Sequence, residues 1–300
     1  MFKNILAATD CLNALDTPVL AAAKIAEQKN AKVYILHVLE SADVEHRNCV
    51  QDSKTGQKID ATSEYKNMVR EQLDTIYAEI FQSHIDYEIK VTTGLPSEEI
   101  TKWSDDVNAD LLVLGSHSGR AEEKEVVQVA GKIGSTAAAV MAREHCPAMI
   151  VSPSVTNRKM TFKNIMIGID FSVACECALC FAVKLAQRNH AKLFVFHMMP
   201  VPALPSYAKL DYEADVVFSR TKLEAFCHSF VDGTDHEYHI RGGRHPHLEI
   251  LGYAEKKDVD LIVMGSHTRT RAGQRHVGSC VENVSLGSNC PVIVVKHSDT

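Results

Sequence analysis

Apolar residues along this chain gather into short, dense runs, among them "NILAAT" from Asn4, "KVYILHV" from Lys32 and "DLLVLG" from Asp110. Rich in Val, Ile and Leu and largely without polar alternation, such runs read as strands buried on both faces. Longer stretches with apolar residues at helical spacing lie between them. The pattern predicts strands near 3–9, 32–38, 86–91, 110–115 and 147–151, with helices near 16–29, 62–83, 96–106 and 134–145. A second series predicts strands near 163–169, 192–198, 236–240, 260–265 and 291–295, with helices near 173–189, 206–231, 246–257 and 278–288. Alternation of strand and helix is the mark of an α/β fold with a doubly wound parallel sheet.

The two series are copies. "FKNILAATD" from Phe2 returns as "FKNIMIGID" from Phe162, and "AKVYILHV" from Ala31 returns as "AKLFVFHM" from Ala191, both at an offset of 160. "DLLVLGSH" from Asp110 returns as "DLIVMGSH" from Asp260 at an offset of 150, and "CPAMIV" from Cys146 as "CPVIVV" from Cys290 at 144. Order is kept while loops change length, so a whole domain is duplicated. The boundary falls in the polar stretch Ser152 to Met160, giving domains at 1–153 and 160–300, each with five parallel strands.

Composition narrows the partners. At 45% hydrophobic, 23% charged and a formal charge of -6, the 300 residues describe a globular chain of about two domains. The mildly acidic balance offers no global attraction to nucleic acid or anionic membrane, so an anion site must be built locally. No run approaches the roughly 18 apolar residues of a membrane span, and "MFKNILAATD" lacks a signal-peptide pattern. A cytoplasmic protein is expected. Its nine cysteines then fit reduced thiols better than a disulfide framework. "CECALC", holding Cys175, Cys177 and Cys180, contains a Cys-x-x-Cys and is weighed as a zinc or redox site. Helical spacing puts Cys177 and Cys180 on one face, expected to pack on the sheet, and no further ligands at metal-like spacing are visible nearby.

Ligands of doubly wound sheets sit past the carboxyl ends of the strands. In the second copy those ends offer Asp170 followed by Ser172, a helix-cap residue, then His197 with Met198, then "RGGRHPH" from Arg241, then Gly265, Ser266 and His267. Gly278 and Ser279 open the last helix, where free N–H groups and the helix dipole favour a phosphate and glycine lets it approach. Arg269, Arg271 and Arg275 lie between these glycines without an acid. The first copy holds Arg120, Lys124 and Lys132 there, offset by Glu122, Glu123 and Glu125. Glycines at strand exits and helix starts also occur for backbone reasons alone, and loop arginines are often simply solvated, so both readings stand. His37 and His197 recur at one place, as do His117 and His267, which assigns them to the frame.

These residues resemble the universal stress protein family in its tandem form, over nearly the whole chain. The family's nucleotide-binding members carry Gly-x2-Gly-x9-Gly-(Ser/Thr) after the fourth strand and an aspartate ending the first. The second copy matches at Asp170, Gly265, Gly278, Ser279, Cys290 and Pro291, with Thr268 in place of the middle glycine. The first matches at Asp10, Gly115, Gly134, Ser135, Cys146 and Pro147, has Ser118 beside Gly119 at the middle position, and its loop is six residues longer. The resemblance implies a Rossmann-like, adenine-nucleotide hydrolase-like fold. It also implies a stress-responsive protein that binds ATP or a related adenine nucleotide, with or without Mg, and hydrolyses it weakly or not at all. The implied set is Asp170, Ser172, Met198, Gly265, Ser266, His267, Thr268, Arg269, Arg275, Gly278 and Ser279, the base lying near the first two strand ends. Asp10, Gly115, Gly119, Gly134 and Ser135 would form a degenerate second site. Family members pair through their fifth strands, which implies pairing of the two domains within the chain, and two chains could pair further as a homodimer.

Three rivals remain. An adenylating enzyme of related fold carries Ser-Gly-Gly-x-Asp-Ser after the first strand, where this chain has "ATDCLN" and "GIDFSV". A flavin carrier of similar fold is not distinguished from an ATP binder at this level. A dimerising interaction module without nucleotide would keep the frame and lose the ligand.

Overall fold

Ile5, Leu6 and Ala7 are fully buried, as are Ile165, Met166 and Ile167. Runs apolar on both faces belong at the centre of a sheet covered on both sides, and that is where each copy puts them. The computed structural model describes residues 1–10, 16–41, 49–51, 57–81, 84–116, 133–143, 146–155, 160–202, 209–266 and 277–297. The chain forms two units, Met1–Asn157 and Arg158–Thr300.

The first unit contains β1 (Asn4–Thr9), α1 (Thr17–Lys29), β2 (Lys32–Glu40), β3 (Cys49–Gln51), β4 (Lys58–Asp60), α2 (Ser63–Phe81), β5 (Tyr87–Gly94), α3 (Pro96–Asp106), β6 (Leu111–Gly115), α4 (Ser135–Arg143) and β7 (Ala148–Val151). Its parallel sheet runs β5-β2-β1-β6-β7. The second unit contains β8 (Asn164–Ile169), α5 (Val173–Asn189), β9 (Lys192–Pro200), α6 (Lys209–Cys227), β10 (His236–Gly243), α7 (Pro246–Lys256), β11 (Leu261–Ser266), α8 (Ser279–Gly287) and β12 (Val292–Lys296). Its parallel sheet runs β10-β9-β8-β11-β12. Each sheet grows outward from its first strand in one direction and then resumes on the other side. The crevice therefore lies beside the carboxyl end of β1 or β8.

The repeated "FKNI" and "DL" motifs act together at the opposite, amino end. Asp110 accepts the backbone N–H of Lys3 at 2.7 Å and of Asn4 at 3.3 Å. Asp260 accepts those of Lys163 at 2.7 Å and Asn164 at 3.2 Å. Burial pushes both carboxyls up, and these hydrogen bonds pull them back down. The acid opening each fourth-strand motif thus ties the first strand to the fourth.

Several elements differ from the pattern in their bounds, β5 reaching Gly94 and α6 covering only Lys209–Cys227. The third strand of the second unit is expected near 236–240, where the apolar run ends. Instead β10 continues to Gly243, pairing Gly242 with Met199. A Cβ on Gly242 would lie 2.5 Å from both Tyr212 and Val201, so the glycine admits packing against the strand. The antiparallel pair β3 and β4, three residues each, carries too little pattern to be read from sequence.

Candidate functional site

The turn after β8 is built by its own side chains. Asp170 Oδ1 accepts the Ser172 N–H at 3.0 Å and the Cys175 thiol at 2.9 Å, while the Ser172 hydroxyl accepts the Cys175 N–H and caps α5. Between them Phe171 takes φ 63, a left-handed conformation uncommon for a bulky residue. Its ring packs on His197 at 4.6 Å and meets Phe226 edge-on at 5.4 Å, with Lys222 Nζ 4.0 Å from the ring centre. His197 Nδ1 lies 2.8 Å from the Ile169 carbonyl, and His37 makes the matching contact to Thr9 at 3.1 Å. Both histidines pin the second strand to the first, the frame role their recurrence suggested. Burial lowers the His197 pKa against the pull of that carbonyl, with nearby Lys222 adding to the effect.

The two glycines of the second unit's loop do different work. A Cβ on Gly265 would sit 2.6 Å from the Ala174 carbonyl oxygen, so this glycine admits the backbone of α5. Gly265 belongs to the implied ligand set, and the close approach on its Cβ side is that of the α5 backbone. Gly278, by contrast, takes φ 94 as the N-cap of α8, and a Cβ there would meet nothing within 4 Å. Only glycine holds that conformation cheaply, and the space beside it is open among the described residues. The first helical hydrogen bond runs from Glu282 to the Gly278 carbonyl. Among the described residues nothing accepts the N–H groups of Ser279, Cys280 and Val281.

Ser266 and Val277 close the loop's base, the buried Ser266 hydroxyl donating to the Val277 carbonyl at 2.8 Å. Asp170 also comes near α8. Burial first, and then the Asp170 charge, push the Cys280 thiol up to about 11. The structure thus gathers Asp170, Gly278 and Ser279 at one end of the sheet, with Ser266 below. Met198 lies half-buried on β9 opposite Arg241, whose guanidinium pairs with Glu249. His267, Thr268, Arg269, Arg271 and Arg275 lie outside the described residues.

The model of the Universal stress protein family matches residues 1–152 and again 161–296. The chain belongs to the universal stress protein family. Universal stress protein Sll1388 of Synechocystis is 26% identical over 155 residues, covering 46% of this chain and 100% of that protein. Universal stress protein MJ0577 of Methanocaldococcus jannaschii is 47% identical over 55 residues, 18% of this chain and 34% of that protein. A universal stress protein structure from Archaeoglobus fulgidus aligns with 99% of this chain and 97% of its own at a TM-score of 0.67 and 21% identity, a likeness of fold.

In this universal stress protein the first unit closes its loop differently. There the Gly134 N–H, just before α4, donates to the Ser116 carbonyl at 2.9 Å. Gly115 ends β6 beside Val151, and Asp10 and Ser135 follow β1 and open α4; Gly119, Ser118 and His117 lie outside the described residues. Beneath this crevice lies a cluster that sequence reading missed. Buried Asp16 accepts hydrogen bonds from Thr9 Oγ1 and from the Tyr77 hydroxyl, the latter at 2.8 Å, and the two hydroxyls are also 2.8 Å apart. Burial pushes the Asp16 carboxyl up to about 6. The repeat offsets of 160 and 150 set Ile169 opposite Thr9 and Cys227 opposite Tyr77, so the second unit has no hydroxyls at these positions.

The cysteine cluster also differs from expectation. Cys175 is the buried member, its thiol near Asp170 and the Gly168 carbonyl, and burial pushes it up to about 12. Cys177 and Cys180 are only half-buried, because α5 turns Cys175, Ala178, Leu179 and Ala182 to the core. Cys177 Sγ lies 3.4 Å from His297 Nδ1. Among the described residues no three His, Cys, Asp or Glu side chains are grouped to hold a metal, and no helix is long and apolar enough to cross a membrane.

Proposed function

We propose that the second unit binds an adenine nucleotide, ATP or a close relative, and that the protein acts in the cytoplasm as a nucleotide-dependent regulator during stress. The reading rests chiefly on one observation. Gly278 holds a positive φ at the start of α8, with no described atom within 4 Å of where a Cβ would stand and no described acceptor for the amides that follow it. A phosphate oxygen fits where a side chain would otherwise stand. Arg269 and Arg275, in the acid-free stretch before Gly278, would add charge to that site, and Mg would serve the phosphates if bound.

Asp170 would meet the ribose or base from the other side, with Met198 as apolar contact. Its carboxylate also accepts from Ser172 and Cys175, which fixes its direction. The geometry supports holding a nucleotide more than cleaving one, because the groups around α8 are hydrogen-bond donors and Asp170 is occupied with its turn. The family match is consistent with this assignment.

Mass spectrometry of the purified chain, with calorimetric titration of ATP and Mg, tests the proposal. The expected result is no more than one nucleotide per chain, lost on Gly278→Val but retained on Gly134→Val. Absence of bound nucleotide together with absence of binding heat would reject it. FMN serves as the competing ligand in the same titration.

A further inference from the structure

Thr9 ends β1, Asp16 precedes α1 and Tyr77 lies on the inner face of α2, so three elements of the first unit meet at one point. Asp16 is the N-cap of α1, yet its carboxyl makes no capping hydrogen bond of good geometry, and the Val19 N–H lends it only a minor pull. It is turned inward instead. Asp16 Oδ2 contacts both Thr9 Oγ1 and the Tyr77 hydroxyl, and those two hydroxyl oxygens lie 2.8 Å from each other. All three residues are buried.

The number of protons decides the state of this triangle. Each of its three sides is a hydrogen bond only if one of the two oxygens donates a proton along it. Thr9 and Tyr77 bring one proton each, and an ionised Asp16 brings none. Two protons cannot fill three sides. With a third proton on Asp16 Oδ2, each oxygen donates once and accepts once around a closed ring, an arrangement in which the bonds strengthen one another. Loss of that proton leaves one side as two bare oxygens face to face, and places a full charge in a buried site.

The surroundings favour the closed ring. Burial opposes ionisation of Asp16, and the charge of Asp10, just after β1, opposes it further. The other titratable neighbours are Tyr77 itself and, on β2, the buried His37, whose Nδ1 lies 3.1 Å from the Thr9 carbonyl. The buried face of α1 carries no charged residue, and that of α2 holds only Leu73, Tyr77 and Phe81. Among these described neighbours there is no lysine or arginine to hold a carboxylate. The second unit has Ile169, Glu176 and Cys227 at the matching positions, with Glu176 exposed, and cannot form the ring.

We infer that Thr9, Asp16 and Tyr77 form a proton-operated switch that fastens α2 to the β1–α1 turn of the first unit, closed in acid by a shared proton and released as pH rises. The Asp16 carboxyl, raised from 3.8 to about 6, agrees in sign: the closed ring contributes fully below the lower value and is lost as pH rises through the higher. The switch lies in the first unit and is independent of nucleotide binding in the second.

Hydrogen–deuterium exchange of the full chain, with rates corrected for their intrinsic pH dependence, reads the switch helix by helix. Between about pH 5 and pH 7.5 the protection of α2 is expected to fall about tenfold, while that of α6, its counterpart in the second unit, changes less than about twofold. Asp16→Asn cannot ionise, and its α2 should keep the acid level of protection at both pH values. In the wild type the carboxyl carbon resonance of Asp16 should titrate near pH 6, a result that does not depend on any variant folding. A wild type in which α2 and α6 respond alike, an Asp16→Asn variant that keeps the pH response, or an Asp16 carboxyl that titrates at the ordinary value of about 4 would each overturn the inference.

Discussion

The Ser266 hydroxyl donates to the Val277 carbonyl at 2.8 Å, tying the end of β11 to the residue before Gly278 across a loop of ten residues outside the described set. In the first unit the same closure uses the Gly134 amide instead. The two units thus close the base of the same loop with different donors, a side chain in one and a backbone amide in the other. Ser266→Ala removes a buried bond and strands the carbonyl, at a cost of about 1 to 3 kcal/mol. Urea unfolding should show that loss, and ATP titration of the folded variant a weaker affinity.

The two loop glycines should separate stability from binding. Gly265→Ala drives a Cβ to within 2.6 Å of a backbone oxygen and is expected to cost about 1 to 3 kcal/mol in chemical denaturation, nucleotide present or not. Gly278→Ala meets no atom but must hold a positive φ. Its expected signature is a modest stability loss of about 1 kcal/mol and a drop in ATP affinity of at least about tenfold. Equal effects of the two changes on affinity after correction for stability would contradict this division.

Asp16 should make the first unit respond to pH. Its folded-state pKa is raised from 3.8 to about 6, so the folded chain holds a proton that the unfolded chain releases. The stabilising contribution is complete below pH 3.8 and is lost as pH rises through about 6, on the order of 3 kcal/mol in all. Asp110 and Asp260 shift the same way, whereas Glu237, held down to about 2 by Lys257 and Lys192, acts in the opposite sense, its contribution present above 4.5 and lost as pH falls towards 2. Asp16→Asn keeps an acceptor for Thr9 and Tyr77. It should raise stability at pH 7 and flatten the slope between pH 4 and 6 in denaturation midpoints.

Thiol labelling should follow burial along α5. Cys175, buried and pushed to about 12, is expected to resist iodoacetamide at pH 8, while the half-buried Cys177 and Cys180 react first. Peptide mapping after a timed pulse gives the order. Stoichiometric zinc that disappears on Cys177→Ser would revive the metal reading.

Most of the frame was legible because duplication prints each signal twice. The strands near 3–9 and 163–169 were read from runs that recur at one offset, and β1 and β8 lie there. Ser172 was recognisable as a cap because its chemistry is local. What escaped depends on distance. Gly265 has the same neighbours in sequence whether it admits a phosphate or a helix, and only packing places the Ala174 carbonyl against it. Asp16 and Tyr77 stand 61 residues apart and meet through the fold, while Tyr77 reads simply as a core position between Leu73 and Phe81. β10 outran its apolar run because a neighbouring strand pairs with Arg241, Gly242 and Gly243.

The Asp110 clasp on Lys3 and Asn4 has a bearing on how the chain is made. It joins residues separated by 107 positions, and its twin at Asp260 spans 97. During synthesis the opening strand of the first repeat leaves the ribosome long before the carboxylate that fastens it. At about 5 to 20 residues per second, that strand waits roughly 5 to 20 seconds for its anchor. The wait ends before the second repeat has emerged, so the nascent chain presents one unlatched sheet at a time and its two related halves have little opportunity to exchange strands.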